Sequence, residues 1–145
     1  MKSPFLTHEH EMIRQTIREF AEKEISPLVY QLDKNEEFSV ELVKRMGEMG
    51  LFGMCIPVEY GGQGLDYLSF IIAIEEIARV DSSQAGTLSV HNSLGIGPIF
   101  HHGTKEQKEK YLPDLCSGNH IWAFALTEPN SGSDSRSSNT RAVLN

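Results

Sequence analysis

The sequence lacks most of the features that would place it in a specialised class of protein. Only two cysteines occur among its 145 residues, Cys55 and Cys116, and they form no Cys-x-x-Cys pair. This usage predicts free thiols in a reducing compartment. No apolar run approaches the roughly 18 residues that a membrane span needs. The start, Met1-Lys2-Ser3-Pro4, has neither a signal-peptide core nor an Arg-rich transit segment.

Basic charge and catalytic motifs are scarce as well. The 13 basic residues are outnumbered by 20 acidic ones, and the net charge of −7 argues against nucleic acid or anionic membranes as partners. No Gly-x-Ser-x-Gly hydrolase motif and no Glu-x-x-His or His-Glu-x-x-His metal motif is present. The paired histidines, His8/His10 and His101/His102, have spacings that do not put two imidazoles on one helical face. We therefore predict no metal site and interpret the histidines as solvated or capping.

The first half of the chain carries helical patterns separated by a glycine-rich break. Residues 7–28 predict a helix capped by Thr7 with an apolar stripe on one side, and Pro27 suggests its kink or stop. A second helix is predicted after Ser39, with Gly50 as its C-terminal glycine. Residues 51–65 contain four glycines and a proline. They lack the spacing of a phosphate-binding loop, so they predict a packed connection.

The helical pattern then resumes and is strongest in residues 66–80, where apolar residues cover more than one face. Such a helix is expected at the centre of a bundle. Its adjacent acids, Glu75 and Glu76, point about 100° apart and are interpreted as a solvated edge. A further helix, capped by Asp81, should run towards Phe100 and bend at its glycines and Pro98.

A capping box at Thr104 predicts one more helix, short and charged, ending near Cys116. After it, residues 122–126 alternate bulky and small side chains, Trp-Ala-Phe-Ala-Leu, which is typical of a strand. Pro129 cannot continue a ladder, and Asn-Ser-Gly-Ser follows it as turn chemistry. A strand that enters such a loop can support a flat ring while backbone N–H groups and hydroxyls meet phosphate oxygens.

The details of this stretch point to one family. Residues 124–134, Phe-Ala-Leu-Thr-Glu-Pro-Asn-Ser-Gly-Ser-Asp, resemble the flavin-binding signature of the acyl-CoA dehydrogenases. Residues 89–99, Ser-Val-His-Asn-Ser-Leu-Gly-x-x-Pro-Ile, are a second match to that family. A third, weaker match is Pro-x-x-Tyr-Gly-Gly-x-Gly at residues 57–64. Together the matches imply a mainly α fold, an N-terminal helical bundle at residues 1–119, followed by the first strand of a flavin-binding β-domain at residues 120–145.

The resemblance also implies a set of binding residues, named by their positions here. Contacts to FAD are expected from Phe124, Leu126, Thr127, Gly132 and Ser133, with the Thr127 hydroxyl at the polar edge of the flavin. Ser133 would also touch acyl-CoA. The acyl tail would be lined by Thr87, Val90 and Leu94, although the i, i+4 spacing of the last two is equally compatible with ordinary core packing.

The implied activity is oxidation of an acyl-CoA to the 2-enoyl-CoA. In the family a carboxylate removes the α-proton, the β-hydride passes to the flavin, and electrons leave through an electron-transfer flavoprotein. No residue here is assigned as that base, which in the family belongs to a C-terminal helical domain. We therefore expect a fragment that is inactive alone. Its full-length form should be a homo-oligomer, a tetramer, in a bacterial cytoplasm, or in the mitochondrial matrix if eukaryotic. The alternative is a non-catalytic helical association module or remnant.

Overall fold

The computed structural model describes residues 5–144 and is mostly helical, as the sequence predicts. None of the helices in this range is long and apolar enough to span a bilayer. The α-helices are α1 (His8–Phe20), α2 (Ser26–Asn35), α3 (Val40–Glu48), α4 (Tyr67–Ala78), α5 (Ser82–Val90), α6 (Gly97–His102) and α7 (Lys105–Cys116). Two π-helical turns, Ala21–Ile25 and His91–Ile96, and two 3₁₀ turns, Val58–Tyr60 and Ser135–Ser137, complete the elements.

The first helical pattern extends further than predicted. Beyond α1 the chain widens into the first π turn and then continues as α2 to Asn35, rather than stopping at Leu28. Pro27 lies in the first turn of α2. A proline is tolerated there because the N–H groups of a first turn have no partner within the helix. Of the predicted kink or stop at Pro27, the stop is therefore wrong, and the irregularity near it is the π turn that precedes α2.

Short-range signals fixed the starts of the other long helices correctly. Ser39, Asp66 and Thr104 each accept a hydrogen bond from the backbone N–H three residues later, as N-caps do. At the end of α3 the chain turns through Gly50, whose φ is +73°, and the Leu51 N–H donates to the Met46 carbonyl. That bond satisfies an otherwise free carbonyl of the last helical turn.

The core lies between α1, α4 and α5, with the connection at residues 51–65 packed beneath them. The prediction of a central α4 is confirmed, since Ile72, Ala73 and Ile77 are all buried. The connection is part of the core too, because Phe52 and Met54 are among its most deeply buried side chains. Burial and turn hydrogen bonds, such as that from the Leu65 N–H to the Met54 carbonyl at 2.8 Å, together hold this glycine-rich segment in place.

The interpretation of Glu76 as a solvated acid was wrong. Its side chain is 0% exposed and accepts hydrogen bonds from three arginines, Arg14 at 3.0 Å, Arg18 at 2.8 and 2.9 Å, and Arg79 at 2.9 Å. Glu75, its neighbour, is 58% exposed, and Arg14 is its one ion-pair partner among residues 5–144. Because the two carboxylates point in different directions, one faces α1 and the other faces solvent. The buried cluster joins α1 to α4.

The predicted strand at residues 122–126 does not form a ladder. In the described chain this stretch is extended but belongs to no strand, and the bridge recorded beyond it joins Glu128 to Ser131 within one turn. Alternation selects an extended backbone, but a strand also needs a neighbouring segment for its N–H and C=O groups, and none of the described segments runs beside it. The helical fold class is confirmed, whereas the strand is absent from residues 5–144.

Candidate functional site

The two stretches with the strongest family resemblance lie next to each other in the structure. The extended segment at residues 121–127 leaves the end of α7 and passes the second π turn. There the Trp122 N–H donates to Nδ1 of His91 over 3.3 Å. A Cβ atom on Gly95 would lie 2.7 Å from Cβ of Trp122, so the absence of a side chain at Gly95 permits this approach.

The apolar residues predicted to bind flavin and acyl tail are solvent-exposed. Phe124 and Leu126 are 49% and 48% exposed, and Val90 and Leu94 are 45% and 40% exposed. Val90 and Leu94 are therefore not core residues, which removes the alternative interpretation of their spacing. Thr87 is half-buried, and its hydroxyl donates to the Ser83 carbonyl. Large apolar side chains left open on two adjacent segments are typical of a surface that something else covers.

The loop after the extended segment is held in shape by its own polar groups. Glu128 and Ser131 exchange two backbone hydrogen bonds, of 2.9 and 3.1 Å, and close a tight turn over Pro129. The Ser131 hydroxyl, buried beneath the loop, donates to the Asp134 carbonyl at 2.8 Å. In the sequence Ser131 is only one of the turn residues that follow Pro129, so this buried structural role was not predicted.

Glu128 ties the far side of the same loop. Its carboxylate accepts the backbone N–H groups of Asn139 at 2.7 Å and Thr140 at 2.9 Å. Hydrogen bonds from Thr140 and Asn139 hold the pKa of Glu128 below its ordinary value, because they favour the ionised form. The carboxylate is thus committed to the loop backbone, and its role is structural.

Between these ties, Gly132 and Ser133 present unpaired donors. Both are exposed, and within residues 5–144 neither backbone N–H has a hydrogen-bond acceptor. A Cβ atom on Gly132 would meet nothing within 4 Å, so the backbone there is open to close approach. Free N–H groups beside an unencumbered glycine form the kind of concavity that binds phosphate oxygens. Two such donors are chemically compatible with an anionic phosphate oxygen as their acceptor.

His91 and Asn92 are site-supporting residues that sequence reasoning missed. His91 was interpreted as solvated or capping, yet it is 2% exposed and uses both ring nitrogens. Asn92 donates to the carbonyls of Leu51 and Leu88 and accepts the Gly53 N–H at 2.8 Å. The sequence did carry a signal, since both are polar residues within a predicted helix. A polar side chain in such a helix is buried only when it finds hydrogen-bond partners.

His10 behaves as the capping interpretation predicts. Its Nδ1 accepts the Thr7 N–H at 3.1 Å, and its Nε2 lies 3.0 Å from the Asp66 carboxylate that caps α4. Among residues 5–144 no group of three metal-ligating side chains is close enough to hold an ion.

Both cysteines carry free thiols. Burial raises the pKa of Cys116 to about 11, and burial is also the main cause of the raised pKa of Cys55. Thiols of raised pKa are poor nucleophiles near neutral pH.

Comparison with known proteins identifies the fold and its relatives. The profile described as "Acyl-CoA dehydrogenase, N-terminal domain" matches residues 7–119. An acyl-CoA dehydrogenase of Bacillus subtilis is 49% identical over 138 residues, which is 95% of this chain and 36% of that protein. The chain belongs to the acyl-CoA dehydrogenase family. A short-chain-specific acyl-CoA dehydrogenase of Clostridium acetobutylicum is also 49% identical, over 96% of this chain and 37% of its own length.

Solved structures agree with this membership. The butyryl-CoA dehydrogenase of Megasphaera elsdenii superposes with a TM-score of 0.88 at 37% identity, covering 97% of this chain and 37% of that one. A chain in a structure described as electron transferring flavoprotein of Acidaminococcus fermentans gives 0.93 at 45% identity, covering 99% and 38%. A glutaryl-CoA dehydrogenase of Mycobacterium smegmatis in complex with FADH2 gives 0.87 at 32% identity, covering 93% and 35%.

The chain spans a little over a third of the length of these acyl-CoA dehydrogenase relatives. The chain therefore corresponds to an N-terminal part of such a protein. It leaves the activity, substrate and partners of the whole enzyme to be argued from the residues of the site.

Proposed function

We propose that this chain is the N-terminal part of an FAD-dependent acyl-CoA dehydrogenase and carries one wall of its flavin and substrate site. The observation that supports the proposal most strongly is the juxtaposition of two exposed apolar stretches. His91 and Gly95 hold Trp122 against the second π turn, so the segment that bears Phe124 and Leu126 lies beside the helix that bears Val90 and Leu94.

The residues would divide the work between cofactor and substrate. Phe124 and Leu126 would support the flavin ring, and the exposed hydroxyl of Thr127 would hydrogen-bond its polar edge. The free N–H groups of Gly132 and Ser133 would bind the pyrophosphate, and Ser133 would also contact acyl-CoA.

The acyl tail would lie along the helical side of the site, against Val90 and Leu94 with Thr87 nearby. When bound, the flavin supplies the acceptor for the hydride that leaves the substrate. This chain's own residues bind and orient the two molecules and exclude water from one side.

The same proposal covers the arrangement of the whole protein. The helical part would occupy residues 1–119, and residues 120–145 would begin a β-domain. Further strands of that domain would form backbone hydrogen bonds with the extended segment. The base that removes the α-proton would come from outside this chain, so we expect no dehydrogenase turnover by the chain alone. An electron-transfer flavoprotein would accept the electrons, and the full-length enzyme would be a homo-oligomer in the cytoplasm or mitochondrial matrix.

A titration of the purified, dialysed chain with FAD tests the cofactor proposal. Bound flavin should be visible by its absorption at about 450 nm, and acyl-CoA should then perturb the spectrum. Replacing Phe124→Ala should weaken FAD binding by about tenfold, because the side chain offers an open ring face to the flavin. Phe38→Ala is a matched control, since Phe38 is 59% exposed and lies outside all three matched stretches.

One observation favours a second function, association through the extended segment. Ile121, Trp122, Phe124 and Leu126 are all exposed on a backbone that has no strand partner within the described chain. An unpaired extended segment of this kind can pair with another chain. Sedimentation equilibrium separates the two proposals: a stable dimer without FAD binding supports association, whereas FAD binding by a monomer supports the flavin site.

A further inference from the structure

Among the residues that the structure describes, one hydrogen bond joins the extended segment at residues 121–127 to the helical core. Within the described chain, the bond from the Trp122 N–H to His91 is the only one recorded for these seven residues. The next bonds along the chain are those of His120 to Asp114 and of Glu128 to Ser131. The placement of the backbone between these points therefore depends strongly on the contact at Trp122.

The geometry of His91 determines which tautomer makes this contact. Nδ1 faces a backbone N–H, which can only donate, and Nε2 lies 2.9 Å from the Leu115 carbonyl, which can only accept. The ring is therefore neutral, with its proton on Nε2. Its plane meets the ring of Phe52 edge-on, with centroids 4.5 Å apart, so the imidazole has little freedom to rotate.

We propose that His91 is a positioning residue of the flavin site, holding the extended segment in register against the second π turn through the backbone of Trp122. The inference rests on the proposed function, because only a bound flavin gives the register of Phe124, Leu126 and Thr127 a chemical purpose. His91 itself touches neither cofactor nor substrate in this assignment. It acts by fixing the backbone two residues before Phe124.

Two amide substitutions separate this role from a merely structural one. In His91→Asn the side-chain oxygen is the same number of bonds from Cβ as Nδ1 is in histidine. The variant therefore keeps an acceptor for the Trp122 N–H but loses the hydrogen bond to the Leu115 carbonyl. In His91→Gln the amide nitrogen is the same number of bonds from Cβ as Nε2 is in histidine. The variant therefore keeps a donor to the Leu115 carbonyl but loses the acceptor for the Trp122 N–H. The pair thus removes one bond at a time.

The primary readout is hydrogen exchange at the Trp122 backbone amide. Trp122 is the sole tryptophan, so labelling with ¹⁵N-tryptophan gives one backbone resonance without further assignment. We expect exchange about tenfold faster in His91→Gln and close to wild type in His91→Asn, as the loss of one partly buried hydrogen bond predicts. Exchange at the buried Leu88 amide, followed in a uniformly labelled sample, corrects for any general loss of stability.

The second readout is FAD affinity by flavin titration of the same proteins. The proposal predicts the same order, with His91→Gln weaker by about tenfold and His91→Asn close to wild type. The reverse order, or equal exchange in all three proteins, would overturn it and leave His91 as an anchor for the end of α7. If the order of exchange holds while the wild-type chain binds no FAD, His91 positions the segment and the proposed flavin function fails instead.

Discussion

Glu76→Gln should be the most damaging conservative change in the helical core. The substitution keeps the shape of the side chain but removes its charge and turns one acceptor oxygen into a donor that faces Arg18 together with either Arg14 or Arg79. Breaking a buried ion pair from one side typically costs about 3–5 kcal/mol. Arg18 and Arg79 are 44% and 45% exposed and can recover water, so we expect a loss near the lower bound, about 3 kcal/mol.

Urea unfolding followed by far-UV circular dichroism measures this loss. The midpoint should fall while the slope stays unchanged, and the melting temperature should drop by roughly 10 °C for a chain of this size. Glu75→Gln is the matched control: the same change at the adjacent, 58% exposed residue should cost no more than about 0.5 kcal/mol. Equal effects of the two substitutions would refute the argument that burial makes the Glu76 cluster important.

The pH dependence supplies an independent check. The hydrogen bond from Arg18 is the largest cause of the lowered pKa of Glu76, and Arg79 adds to it. A carboxyl group whose pKa is lower in the folded state contributes stability above its ordinary value of 4.5, and that stability is lost as the pH falls through the lowered pKa. The difference between wild type and Glu76→Gln should therefore shrink below about pH 4.

Two further predictions concern the space around two helical glycines and the titration of His91. A Cβ on Gly47 would lie 2.3 Å from the Ser117 carbonyl oxygen, so Gly47→Ala should destabilise the fold by about 2 kcal/mol. A Cβ on Gly86 would have no described atom within 4 Å, so Gly86→Ala should stabilise α5 by about 0.5–1 kcal/mol. Thermal melts of both variants check this, and equal shifts in melting temperature would contradict it. Burial lowers the pKa of His91 below 6.5, so stability should hold above that pH and decline as the pH falls beneath it, in urea titrations between pH 5 and 6.5. In His91→Asn this decline should be absent, and its persistence would assign it to another group.

Much of the helical architecture could be predicted because its signals are local. Thr7, Ser39, Asp66 and Thr104 each cap a helix through an atom only three residues away. Such bonds form whatever the rest of the chain does, so sequence alone located these helix starts. The family resemblance of residues 89–99 and 124–134 was readable for a similar reason, since each match lies within one short continuous stretch.

The tertiary structure decided which polar groups are buried and which segments meet. Glu76 pairs with Arg14 and Arg18, which lie 62 and 58 residues away in the sequence. Helical periodicity relates only residues of the same helix, so it could not predict these pairs. His91 is buried because α7 and the segment at Trp122 close over it, 24 and 31 residues further on. The strand pattern at residues 122–126 shows the same limit, because alternation determines which side chains share a face but pairing requires a partner brought near by the fold.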